Sequence, residues 1–124
     1  MPCSVSATTD LGEALVGTGF PPERERTPDN NFESFVAVKR RARAVRRCGS
    51  AALDLCLVAD GTYDGYWERR LHAWDVVAGS ALVLAAGGAV TSLDGGAPDY
   101  HIGHLVASNG LVHAALVAQI RAKS

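Results

Sequence analysis

The hydrophobic period changes several times along this chain, and that alternation restricts the possible fold more than any other feature. Ala14 to Phe20 is a short apolar run that ends at Pro21 and Pro22, the pattern of a buried strand leaving its sheet. Glu23 to Asn31, with Pro28, Asp29 and Asn30, has no period and reads as an exposed loop whose Asn or Asp can cap the next element. From there Phe32, Phe35, Val36, Ala42 and Val45 recur at three and four residues, which predicts an amphipathic helix from Asn31 to about Cys48. Gly49 interrupts it. Ser50 can cap a second helix, Ala51 to Ala59, whose Ala52, Leu53, Leu55, Cys56, Leu57 and Val58 nearly encircle it and predict burial.

Asp60 and Gly61 end that helix, and Tyr63 to Glu68 reads as a strand around an Asp64-Gly65 turn. Trp74, Val77, Ala78, Ala81, Leu82 and Ala85 form a long stripe at helical spacing, ended by Gly87 and Gly88. Ala89 to Leu93 and His104 to Ala107 predict two further strands. Leu111 to about Ala122 predicts a terminal amphipathic helix with Arg121 and Lys123 near its end. Strands interleaved with helices mean α/β layering. The chain has 124 residues and 13.0 kDa, enough for one domain, with the start at 1–11 less defined and 21–31 as an exposed loop.

Composition removes several classes of function. Twelve Lys and Arg against thirteen Asp and Glu give a net charge of −1, which excludes an overall polycation built to coat nucleic acid or an anionic membrane. With 48% hydrophobic and 20% charged residues the chain is not a disordered one. Cys3, Cys48 and Cys56 are an odd count without CxxC spacing, so a reducing compartment is expected rather than a disulfide framework. The first residues carry no export signal, and glycine, serine and threonine break the long uncharged run from Asp75 to Asp94. The expectation is therefore a cytoplasmic protein without a membrane span.

Four groups of residues could carry chemistry. Lys39, Arg40, Arg41, Arg43, Arg46 and Arg47 place six cations in nine residues and could bind phosphates. The simpler reading is an exposed helix face with cations near its C-terminal end, since no aromatic residue is interleaved to stack bases. His101 and His104 lack further ligands at metal-binding spacing and read as surface histidines. Ser50 lacks a nucleophile-elbow context and reads as a cap. Asp75 is a carboxylate at the start of an apolar helix. Burial there demands a cation, a metal or hydrogen-bond donors, so a Mg²⁺ and phosphate site and an ordinary capping Asp both remain open.

Gly49-Ser50-Ala51-Ala52-Leu53-Asp54-Leu55-Cys56, then Asp64-Gly65-Tyr66-Trp67-Glu68, then Trp74-Asp75-Val76-Val77-Ala78-Gly79, then Ala86-Gly87-Gly88-Ala89-Val90-Thr91 resemble, in order and spacing, the C-terminal half of the inositol monophosphatase family. The strand at Ala14 to Gly19 and the segment Val106-Ala107-Ser108-Asn109 extend the resemblance to most of the chain from about residue 12. It implies the α/β class, as a layered mixed-sheet sandwich corresponding to the C-terminal domain of that fold. It also implies a Mg²⁺-dependent, often lithium-sensitive phosphomonoesterase, commonly a homodimer. By resemblance Asp75 is a metal ligand, Glu68 contacts substrate hydroxyls, and Gly49, Ser50 and Ala51 line the substrate pocket from a helix N-terminus.

The departures from the family pattern carry as much weight. Enzymes of this family are roughly twice as long, and their N-terminal half supplies a metal-binding glutamate and a DPxDGTxN-type segment that nothing in this chain matches. Asp60-Gly61-Thr62 follows the Gly49 helix, where the family has an ordinary turn, and is not counted as that segment. Val77 stands where a small residue is usual. The expectation is the C-terminal portion of a Mg²⁺-dependent phosphatase, truncated or split, with no catalytic residue of its own and no activity alone. Its expected partners are a small phosphorylated substrate and a missing N-terminal half or a homodimer copy, with neither membrane nor nucleic acid among them. The alternative is a non-catalytic domain binding a protein or nucleic acid through the Lys39–Arg47 helix or an exposed domain interface.

Overall fold

Three parallel strands, each followed by a helix, build the first part of the chain. The structure is a computed structural model and describes residues 4–19, 31–47, 49–69, 73–98 and 104–121. A short 3-10 turn, Leu11–Glu13, is capped by Asp10, whose side chain accepts from the Gly12 amide. It leads into β1 (Leu15–Thr18), followed by α1 (Phe32–Arg41), β2 (Ala44–Arg46), α2 (Ala51–Ala59), β3 (Gly65–Glu68) and α3 (Ala73–Ala85). Strands β4 (Ala89–Thr91) and β5 (Leu105–Ser108) and helix α4 (His113–Arg121) complete it. The sheet order is β2-β1-β3-β5-β4. Strands β2, β1 and β3 are parallel, with Val16 opposite both Val45 and Gly65 and Thr18 opposite Trp67. β5 runs antiparallel to β3 and β4.

The α/β class and the mixed sheet agree with the sequence, but the helix expected from Asn31 to Cys48 does not. α1 stops at Arg41, because Ala42 turns extended at ψ 158° after its amide closes on the Val38 carbonyl. The Arg43 and Ala44 amides then bond to the Ala14 carbonyl, and the chain enters the sheet as β2. Val45 lies three residues after Ala42 and so fits a helical stripe. It fits equally an inward position on a strand, where it packs against the core. Pairing with β1 supplies backbone partners that an isolated last helical turn lacks, and the strand wins.

Alternating strand residues feed two cores. Trp67 and Val16 face α1 and α4, where they meet Val38, Val112, Leu116 and Ile120. Tyr66 and Leu105 face α2 and α3, where they meet Leu55, Val58, Val76 and Val83. The full burial expected of α2 is corrected by this layering. It buries one face, and Leu53 is left 47% exposed; α3 likewise exposes Val77, Leu82 and Leu84 by 50 to 54%. No helix among the described residues is long and apolar enough to cross a membrane.

Polar ties close the lower end of the sheet. Asp64 accepts from Ser6 Oγ at 2.5 Å and from the Leu15 amide at 2.7 Å. Asn109 donates to Ser6 Oγ and the Thr8 carbonyl, anchoring residues 4–8. At the start of α4, Ser108 Oγ accepts from the Gly110 amide and lies 2.7 Å from His113 Nδ1. The other ring nitrogen then donates to Thr91 Oγ1 at 2.8 Å, whose proton goes to the Ser92 carbonyl. Burial holds His113 below its usual 6.5 and so favours the neutral ring, in which Ser108 Oγ donates to Nδ1. Its stabilising contribution is therefore present above pH 6.5 and is lost as pH falls below that value.

α2 and α3 approach each other closely at Gly79, where a Cβ would lie 2.6 Å from Leu55 Cβ. Gly79→Ala is expected to force the two helices apart and destabilise the chain by about 1–3 kcal/mol, read from urea unfolding. An unchanged midpoint would show that the packing is looser than these distances.

Candidate functional site

In a sheet of this kind a ligand crevice lies beyond the carboxyl ends of the parallel strands. β2, β1 and β3 share that end, and α2 and α3 begin only a few residues after β2 and β3. Gly49, Ser50, Ala51, Glu68 and the start of α3 are thereby gathered at one edge of the molecule. Gly49 takes φ +87°, a left-handed conformation that favours glycine, and opens onto free space. Ser50 is extended and caps α2 as expected, its Oγ accepting from the Leu53 amide at 3.2 Å. The first amides of α2, at Ala51 and Ala52, have no carbonyl partner within the helix and carry its partial positive charge, a setting suited to an anion.

Glu68 leaves the end of β3 on the same face as Tyr66, which donates its hydroxyl to Glu68 Oε1 at 2.8 Å. One turn into α2, Asp54 is buried, and neither of its carboxylate oxygens has a hydrogen-bond partner among the described residues. Burial pushes its pKa up from 3.8 to about 7, and the charge of Glu68 adds to the rise. Sequence reading singled out Glu68 but passed over Asp54. The signal was available, since Asp54 is the lone charge among the apolar residues of α2.

The same end carries a brace that sequence reading missed. Asn31 was expected in an exposed loop or as a cap. It is instead buried at 3% exposure, in a left-handed conformation at φ 78°, and makes no side-chain cap bond. Its amide accepts from Trp67 Nε1 at 2.6 Å and donates to the Gly19 carbonyl at 2.7 Å and to Thr18 Oγ1 at 2.9 Å. Thr18 closes the ring by donating to the Trp67 carbonyl at 2.8 Å. Asparagine is among the few residues that tolerate this backbone, and here the conformation turns its amide inward.

The remaining candidates separate. Asp75 falls in the first turn of α3, and its side chain lies outside the described residues, as do His101, Cys3 and Cys48. The basic run is divided: Lys39, Arg40 and Arg41 occupy the last turn of α1, while Arg43 to Arg47 run along β2 at the sheet edge. There they discourage pairing with another strand. Among the described residues no three His, Cys, Asp or Glu side chains converge to hold a metal ion. Magnesium demands near-octahedral oxygen ligation, and the buried Asp54 beside a Tyr-bonded Glu68 does not provide it.

Comparison with known proteins supplies the context. The family model described as the inositol monophosphatase family matches residues 1–124. An inositol-1-monophosphatase of Synechocystis is 44% identical over 115 residues, covering 93% of this chain and 40% of that protein. The Nus factor SuhB of Pseudomonas aeruginosa is 40% identical, covering 94% of this chain and 44% of its own length. The structure of an inositol monophosphatase from Anabaena superposes with a TM-score of 0.96 at 44% identity, over 99% of this chain and 49% of that one. The chain thus spans less than half the length of these relatives.

Asp54 fixes a pH dependence whose sign comes from its raised pKa. The folded state holds the proton up to about pH 7 while the unfolded state releases it near 3.8, so stability falls as pH rises between those values and is level above them. Asp54→Asn is expected to flatten this slope and to be more stable than the wild type at pH 8 by about 1–3 kcal/mol in urea unfolding. Equal slopes in the two proteins would mean that Asp54 is solvated.

Proposed function

The chain belongs to the inositol monophosphatase family, and from that premise we propose that it forms the substrate-binding side of a magnesium-dependent phosphomonoesterase. The phosphate of a small ester sits at the start of α2 beside Ser50, against the amides of Ala51 and Ala52, with Gly49 leaving the approach open. Glu68 accepts hydrogen bonds from the hydroxyl groups of the ester, and Asp75 contributes one metal ligand. The observation that supports this reading most is the topology: three parallel strands bring the starts of α2 and α3 and the end of β3 to one edge.

Magnesium, when bound, would activate water and offset the charge that develops on phosphorus. One aspartate with the phosphate of the ester holds it only weakly, and the described residues add no cluster that would complete a catalytic site. The reading is therefore of a half-site, completed by chain that the relatives possess beyond the matched segment or by a second copy. Leu53, Val77, Leu82 and Leu84, exposed on the outer face of α2 and α3, offer the apolar surface for that contact. A cytoplasmic setting fits the lack of a membrane-spanning helix among the described residues.

A second reading has its own support. Some relatives are named Nus factors, and the cations of α1 and β2 are exposed, which favours a non-catalytic interaction surface. Binding through it would fall steeply with salt and ignore magnesium.

The test is turnover of inositol 1-phosphate and an aryl phosphate, with and without Mg²⁺, using Asp75→Asn as the blank. The expected result is no turnover above the blank. Mg²⁺ with inositol 1-phosphate is expected to raise the melting temperature by about 2–4 °C, an effect lost in Asp75→Asn. Magnesium-dependent turnover would show that the chain completes its own site, and an unchanged melting temperature would remove the binding role.

A further inference from the structure

We propose that Gly19 and Asn31 are positioning residues that fix where Glu68 presents its carboxylate to the hydroxyl groups of a phosphorylated polyol. The identity of the ligand rests on the reading of Glu68 given above, whereas the positioning stands on distances within the chain.

Thr18 pairs with Trp67 across β1 and β3, so the next residues along the two strands, Gly19 and Glu68, lie side by side. Glu68 folds back over Gly19: a Cβ at that position would lie 2.0 Å from Oε1 and 2.9 Å from Cδ. The carboxylate thus occupies space that any other residue at position 19 would fill. The hydroxyl of Tyr66 holds it there from its own strand. Gly19 does not adopt the left-handed backbone, so an alanine meets no conformational strain. What it meets is the far end of a flexible side chain, which can swing away. Gly19→Ala therefore keeps the fold and moves Glu68.

Asn31 acts on the backbone beneath. Its amide holds the Gly19 carbonyl and Thr18 Oγ1, and Thr18 in turn holds the Trp67 carbonyl, which belongs to the peptide that precedes Glu68. The indole of Trp67, on the opposite face of the strand, is fixed by the same asparagine. One buried side chain thereby sets the peptide on either side of the carboxylate. Asn31→Gly retains the left-handed backbone and deletes the amide, separating the two roles. Thr18→Val removes the ring at another point with little change of volume.

The experiment uses the full chain. It combines carboxyl-carbon NMR of Glu68 without ligand and calorimetric binding of inositol 1-phosphate with Mg²⁺. Gly19→Ala is expected to melt within about 3 °C of the wild type, to shift the Glu68 carboxyl resonance and to weaken binding about tenfold. In a Glu68→Gln background the same substitution is expected to change binding less than about twofold, because its effect passes through the carboxylate. Asn31→Gly and Thr18→Val are expected to shift the same resonance, so that loss of folding in one leaves the other to decide. An unmoved Glu68 resonance in a folded Gly19→Ala protein overturns the proposal, as does an equal loss of binding in both backgrounds. A shifted resonance in a chain whose wild type binds nothing overturns the ligand reading and upholds the positioning.

Discussion

A single buried amide decides how the end of the sheet that carries the proposed site is built. Where β1 and β3 run out, the ladder that paired their backbones stops, and the polar groups just beyond it need partners in a place that water does not reach. Asn31 supplies them. It returns from the segment after β1 to bond Thr18, Gly19 and Trp67, so the first turn of α1 is docked onto the strand ends by the same bonds that close the sheet. Removing it would strand an indole N–H and a carbonyl together, which is costly for a chain of this size. The peptide from which Glu68 departs is held by this ring.

The layer of α2 and α3 is less fully satisfied than the lower end of the sheet. The lower end of the sheet is fully knitted, with Asp64, Asn109 and His113 each using their polar atoms. By contrast Asp54 is buried beside Glu68 without a partner among the described residues, and four large apolar side chains of α2 and α3 face outward. Both features belong to the same helical layer, and both are unfavourable for this chain in isolation. The matched segment makes up less than half the length of the relatives.

Much of the fold was legible because its strongest signals are local. The apolar stripe ended by Gly87 and Gly88, the Ser50 cap and the short run before Pro21 each report a neighbourhood of a few residues, and they are enough to place α3, α2 and β1. β2 was not legible, since Val45 suits either period and its strand exists through pairing with β1 thirty residues away. Glu68 could be named as a site residue by resemblance, and the sequence could not say that its carboxylate rests on Gly19, because that contact joins neighbouring strands. Asn31 was hidden for a related reason. An asparagine among Pro, Asp and Asn carries the signature of a loop, and its inward turn depends on an indole that arrives from β3.

The most direct test of the account is the exchange rate of the Trp67 indole proton with deuterated solvent, measured by NMR on the intact chain. If Asn31 is the brace on which the site end depends, this proton exchanges only when the whole chain unfolds, at the rate of the slowest backbone amides in the sheet. Exchange far faster than those amides would mean that the ring opens by itself while the sheet stays folded. The edge that carries the proposed site would then be held by something other than Asn31.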